Sequence, residues 1–369
     1  MTDSRVFFTG LWLIVTLELR QRVRGVSWYV LLGVFMLLVG IVTFLLWLAT
    51  SAWLSGGGGV FSTIIFFVLL LGTLVSPALS GNAVNGDRDA GTLATTQVTL
   101  ISTWQLVLGK FLAAWITALA FLAAALPFLL FAVVLGEVSV ATIATSVLVL
   151  GAELGVIAAV GVGLSGILTR PLFSIVLTYL VVAALSLGTL IAFALLGTAT
   201  QQPATSVSYQ VLSSTFDEQT GEQSDIVCST AQTSTHDVAR FDYFWWILAA
   251  NPYVVVADAA PGTFNADGYP SDLFGQIAVG VRSAQVPPEM FSEDNACDRA
   301  ATGGYSDGGA YSGQAYQPGP TPQETYDTTV PSWFIGLAMH LLLAAGALAW
   351  AWRRTRTPAS KLPSGSRIA

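Results

Sequence analysis

Two ionisable side chains stand inside long apolar runs: Glu153, within Val140–Leu168, and His340, within Trp333–Trp352. A carboxyl and an imidazole are costly to keep in a bilayer, and by default they mark a polar site on a path for protons, ions or solutes. Paired with each other, they form such a site. Apart, a protonated Glu153 bonds to a Ser or Thr of a neighbouring helix, and a neutral His340 packs in the bundle. Both readings stand at this point. The remaining catalytic inventory is thin. With two histidines (His236, His340) and two cysteines (Cys228, Cys297), no cluster has the spacing of a metal site. Gly109-Lys110 is followed by Phe111, and no GxxxxGK[ST] nucleotide loop exists. Gly304–Gly308 (GYSDG) fits GxSxG formally, but Ser306 lacks the strand–turn–helix context of a nucleophile elbow. The chain is predicted not to be an enzyme.

The elements around these residues follow from charge placement. Of 369 residues, 10% are charged and 54% hydrophobic, where a soluble domain carries about 25% charged residues. No charge lies between Arg24 and Asp87, and only Glu137 and Glu153 lie between Lys110 and Arg170. Roughly 20 apolar residues cross a bilayer, so each stretch is long enough for two crossings. The first is broken by Gly56–Gly59 and the second at Gly136-Glu137. Six helical spans are predicted, near Trp28–Leu48, Val60–Leu79, Phe111–Leu135, Val140–Leu168, Leu172–Leu196 and Trp333–Trp352. In lipid every backbone group must be paired within the segment, and runs without period-two alternation are helices.

With six spans, Arg20, Arg22, Arg24, Arg88, Lys110, Arg170, Arg353 and Arg354 all fall on one face. The short loops opposite hold no Lys or Arg. The positive-inside rule places both termini in the cytoplasm of a multi-pass plasma-membrane protein. The fold class is thus an all-α polytopic membrane protein with a large extracytoplasmic segment between spans five and six. Residues 1–27 form a cytoplasmic N-terminus with an interfacial helix, whose apolar run Val6–Leu17 is too short to span. Residues 28–198 hold five spans and the cytoplasmic loop 81–110, 199–331 the external segment, 332–352 the sixth span and 353–369 a basic tail.

Residues 199–331 carry 16 Asp and Glu against 3 Arg, a balance of −13, which opposes nucleic-acid binding. Cys228 and Cys297 both lie here. Outside the cell they form one disulfide, worth about 4 kcal/mol for a loop of about 70 residues; with the orientation inverted they are two free thiols. The aromatic run Phe241–Ala250 (FDYFWWILAA) has two readings: a helix or re-entrant stretch on the outer leaflet, or a buried piece of the external domain. Thr302–Gln323, rich in Gly, Tyr, Ser and Pro, reads as a flexible linker.

The loop Gly81–Lys110 (GNAVNGDRDAGTLATTQVTLISTWQLVLGK) has an acid–Arg–acid group, then Gly-Thr-Leu, a short amphipathic stretch, and Gly-Lys. It resembles the loop between the second and third spans in permeases of the ABC-2 type, the exporter class of ATP-binding-cassette systems. The matching residues are Asp87, Arg88, Asp89, Gly91, Thr92, Leu93, Gly109 and Lys110. The family usually has Glu where Asp87 and Asp89 stand, and often Pro where Leu100 stands. Leu17–Arg24 is similar to the family's N-terminal helix, and Asn251-Pro252-Tyr253 is a weaker echo. The resemblance implies an export permease without a cofactor of its own. A separate cytoplasmic ATPase carrying ATP and Mg docks on this loop, and a second permease, identical or related, completes the pathway amid membrane lipids. The alternative is a membrane sensor or structural protein whose external segment binds a ligand or envelope partner.

Overall fold

The computed structural model describes residues 2–53, 57–89, 101–136, 138–216, 223–301, 305–306, 310–311 and 320–355. Six helices are long and apolar enough to cross a membrane: Val26–Ala49, Gly58–Asp89, Thr103–Val134, Val140–Ile167, Pro171–Ala199 and Trp333–Thr355. These match the predicted spans, with the third starting eight residues earlier, because Ser102 and Gln105 form a capping box upstream of the apolar run.

In chain order the helices are α1 (Thr2–Arg24), α2 (Val26–Trp53), α3 (Gly57–Ser80), the short α4 (Asn85–Asp89), α5 (Thr103–Val134) and α6 (Val140–Ile167). The fifth span is α7 (Pro171–Ala183), a π-helical turn (Ala184–Gly188) and α8 (Thr189–Ala199). The last span, α14, is Trp333–Thr355. Between them lies a segment with both strands and helices. Strands occur nowhere else among the described residues. β1 (Gln201–Tyr209) pairs antiparallel with β4 (Gln232–Ala239) and parallel with β5 (Phe291–Asn295). β2 (Val211–Phe216) and β3 (Gln223–Cys228) form a hairpin of their own. The all-helical expectation therefore holds for the spans. In the intervening segment, polar stretches rich in Ser, Thr and Val have no long apolar face and pair as strands.

The helices of this segment are α9 (Trp245–Ala249), α10 (Pro252–Ala259), α11 (Leu273–Ser283), α12 (Ala296–Ala301) and α13 (Pro322–Thr328). Within the stretch read as a linker, β6 (Tyr305–Ser306) pairs with β7 (Ala310–Tyr311); most of its other residues lie outside the described ones. Cys228 and Cys297 are joined in a disulfide that ties β3 to α12, as the first of the two sequence readings required.

Span four, α6, is the centre of the bundle, with 78% of its most apolar window buried. Its small residues allow this. A Cβ on Gly161 would lie 1.9 Å from Ser80 Oγ, and one on Gly163 2.6 Å from the Cβ of Ala347 in span six. Close backbone approach through Gly and Ala is how spans associate when lipid is as apolar as their side chains.

Candidate functional site

The basic residues at one end of the bundle do more than mark its face. Arg88 donates from Nη1 to Leu168 O at 2.8 Å and to Asn85 Oδ1 at 2.9 Å. It thereby covers the carbonyl end of α6, where a cation also meets the helix dipole favourably. Ser165 Oγ accepts from the backbone N–H of Val84 and of Asn85, both at 3.0 Å. Lys110 is 1% exposed and pairs with Glu18 of α1 at 2.5 Å and Asp87 of α4 at 2.7 Å. Gly109 lets α1 and α5 close up, since a Cβ there would lie 2.7 Å from Ile14 Cγ2. Arg22 of α1 reaches Thr117 Oγ1 at 3.1 Å.

Of the eight residues expected at a docking surface, Arg88, Gly109 and Lys110 are therefore spent inside the protein, and Asp87 is half-buried on Lys110. Asp89 is exposed. Gly91, Thr92 and Leu93 lie outside the described residues. Sequence reasoning missed Glu18 and Ser165. Glu18 was visible as the lone acid in a basic stretch, and Ser165 carried no distinguishing signal. Asn85 is fully buried, and its Nδ2 has no partner among the described residues.

At the other end, the segment between spans five and six closes the bundle. Its turns meet the span ends: Ser62 Oγ accepts from Leu273 N at 3.1 Å, and Thr142 Oγ1 donates to Pro261 O at 3.1 Å. The aromatic run becomes α9, and a hairpin elbow at Ala249–Asn251 leads into α10. Val256, Ala257 and Ala260 join the same apolar core as Phe61, Ile64, Leu69, Leu150 and Leu154 of the spans. The elbow also meets His340, seven residues into the last span, or about 10 Å along its axis. The end of the run is thus packed into the bundle, with Leu248, Ala249 and Ala250 buried and Trp246 exposed.

Glu153 and His340 are paired, each 1% exposed. Both Glu153 oxygens lie 2.9 Å from His340 Nδ1, and His340 Nε2 lies 2.9 Å from Ala250 O. A carbonyl cannot donate, so Nε2 carries a hydrogen. One further proton sits between Nδ1 and the carboxyl. Whichever side holds it, the pair has no net charge, which is what burial demands. Neither side chain lines the cleft described next.

That cleft, of about 630 Å³, is lined by Leu70, Thr73 and Leu74 of span two, Tyr179, Ser186 and Leu190 of span five, and Asn251 and Tyr253 of the elbow. It is mostly apolar with a few polar groups, the usual character of a small-molecule site. Burial pushes the Tyr253 phenol above its ordinary value.

Two more buried charges hold the hairpin. Asp258 accepts from Arg282 Nε at 2.7 Å, Ser332 Oγ at 2.9 Å and the backbone N–H groups of Ser332 and Trp333. Arg282 also donates to Tyr326 O at 2.7 Å and lies 3.8 Å above that ring. Asp272 caps α11 through Gly275 N at 2.7 Å, and burial raises its carboxyl above the usual range. Asp242, gripped by Arg240 at 2.6 Å, is held below it. In the sequence these acids counted only toward the net balance of −13, because spacing does not show that Asp258 and Arg282 meet.

Among the described residues, no three His, Cys, Asp or Glu converge as a metal site. No protein-family model matches the chain, and no curated protein is significantly similar to it.

Proposed function

We propose that this chain is a permease subunit of an ABC-2 type exporter, with a separate cytoplasmic ATPase docked on the loop 81–110. The observation that carries the reading is the anchoring of that loop at both ends. Arg88 ties α4 to the end of span four, and Lys110 ties it to α1 and span three. A loop so fastened passes a push at residues 90–100 directly to the most buried span. A solvated connector would absorb it.

Span five supports the need for a second permease copy. It is as apolar as span four, yet only 11% of its window is buried, and the cleft lies along its face. In this reading the segment between spans five and six is outside, both termini are in the cytoplasm, and the cleft is half of the pathway. Transport follows from alternating access driven by the partner's ATP cycle.

The test is co-purification of an ATP-binding-cassette ATPase with this chain from its native membrane. Leu93→Asp puts a charge in an apolar contact, and Gly91→Pro removes an N–H and fixes φ. Both should abolish co-purification while membrane insertion stays normal. Asp87→Asn should act mildly and through Lys110. Unchanged ATPase capture by Leu93→Asp would sink the docking role, and a sensor or structural protein would then be the better reading.

A further inference from the structure

The fifth span changes its helical pitch at Ala184–Gly188. Thr189 N bonds back five residues to Ala184 O, as a π turn requires. The stretch holds no proline and a single glycine, and its local support is two hydroxyls: Ser186 Oγ donates to Val182 O at 2.7 Å and Thr189 Oγ1 to Leu185 O at 2.8 Å. The contact from outside the span is a side chain 62 residues beyond Thr189. Asn251 Nδ2 donates to Ser186 O at 2.7 Å and to Thr189 Oγ1 at 2.9 Å. Its Oδ1 accepts from Tyr253 N at 2.9 Å and caps α10. Asn251 is 2% exposed, so the whole amide is spent on these contacts.

The neighbouring residue is held from the opposite side. Ala250 O accepts from His340, which is fixed by Glu153. One position earlier, a Cβ on Gly336 would lie 1.9 Å from Ala249 O, so the elbow fits against span six with no slack. Three consecutive elbow residues therefore touch two different spans.

We propose that Asn251 is the positioning residue of the gate at this end. Its amide holds the π turn open and couples span five, through the elbow, to the Glu153–His340 pair and span six. If the amide lets go, the turn relaxes to α-helix, and α8 rotates by roughly one residue's step of about 100°. That swings Leu190 relative to Tyr179 across the cleft and twists β1, which follows α8 directly. The gating role rests on the permease reading; the clasp does not.

The experiment uses the full chain in nanodiscs, with spin labels placed singly on cysteines introduced along 179–196. The native cysteines are bonded to each other and do not label. Oxygen accessibility should follow one helical phase up to Ala183 and a phase shifted by about 100° after Thr189. Asn251→Ser keeps a capping oxygen but has no amide donor, and should give one continuous phase. Backbone hydrogen exchange at the turn should rise about tenfold, the loss expected for buried hydrogen bonds of this kind. Thr189→Val, which leaves the cap alone, should give a partial shift, and Thr189→Ser should restore the wild-type pattern. A phase break that persists in both Asn251→Ser and Thr189→Val would overturn the clasp. Addition of the ATPase with a non-hydrolysable nucleotude analogue tests the gate: a phase that responds to Asn251→Ser but not to the loaded partner would overturn the gating role and leave the clasp.

Discussion

Spans four and five are nearly the same length, 28 and 29 residues, with mean hydropathy of 2.3 and 2.4, yet 78% of one window is buried and 11% of the other. Hydropathy reports that a helix leaves water. It does not report what the helix meets afterwards. The difference lies in side-chain size. Span four presents Gly151, Gly155, Gly161, Gly163 and Gly166 to its neighbours, and every one of them has an atom within 3.4 Å of where a Cβ would be. Span five presents Leu172, Leu180, Leu187 and Leu195, each more than 60% exposed. One span is an axle fitted to the protein around it, and the other is a wall with one free side.

The hardest test of that contrast is Gly161→Leu. The new side chain would collide with Ser80, and overpacking at a backbone contact costs more than the usual 1–3 kcal/mol or so. The folded peak in size-exclusion chromatography should fall by about tenfold, while Leu195→Ala in span five leaves it unchanged. Equal tolerance at both positions would erase the distinction.

Next in size is the charge pair that span four makes with span six. Glu153→Ala leaves His340 without its buried partner and should cost about 3–5 kcal/mol in unfolding. Glu153→Gln keeps a donor for Nδ1 and should cost less than half as much. If alanine and glutamine variants melt together, the pair is not what fastens the two spans.

A third measurement sharpens the account of the free side. Leu187→Cys should form a covalent dimer of twice 38.9 kDa on mild oxidation in membranes, and Leu148→Cys, on the exposed face of span four, should not. Absence of the dimer would assign that side to lipid.

The smallest effect lies in the segment between spans five and six. Because burial raises the Asp272 carboxyl, the folded form keeps its proton to higher pH than the unfolded form does. Stability from this group therefore falls as pH rises between the two values, and the penalty is complete at neutral pH. Asp272→Asn keeps one oxygen for the Gly275 cap and removes the charge penalty, but gives up the 3.2 Å bond that Oδ2 accepts from Thr263 N. Its stability relative to wild type should be greatest at pH 7 and should fall as pH drops toward about 4, the ordinary Asp range, and level off below it. A variant that gains on wild type as pH falls would reverse the sign of the shift.

The six spans were legible because long uncharged runs have one structural solution in lipid. The Cys228–Cys297 bond and the meeting of Glu153 with His340 were legible because each involves a rare residue with few candidate partners. The centre of the bundle was also written in the sequence, in the glycine spacing of Gly151–Gly166, but hydropathy hid it. The π turn was not legible, since Ser186 and Thr189 are ordinary in a span and the contact that sets them apart comes from Asn251, far along the chain. Nor was the inward aim of Arg88 and Lys110, because a basic residue at a span end serves equally well as a topology marker, a surface contact or a helix cap, and only the neighbouring carbonyls decide.

The cap on the last span ties its start to a distant part of the chain. The first N–H groups of α14 are received by Asp258, which lies 74 residues before Ser332, and that carboxylate is itself paired with Arg282. The point at which the sixth span begins is therefore set by the segment before it and not by the apolar run alone. Without Asp258 the helix would keep its hydrophobic length but lose the acceptor that fixes its first turn.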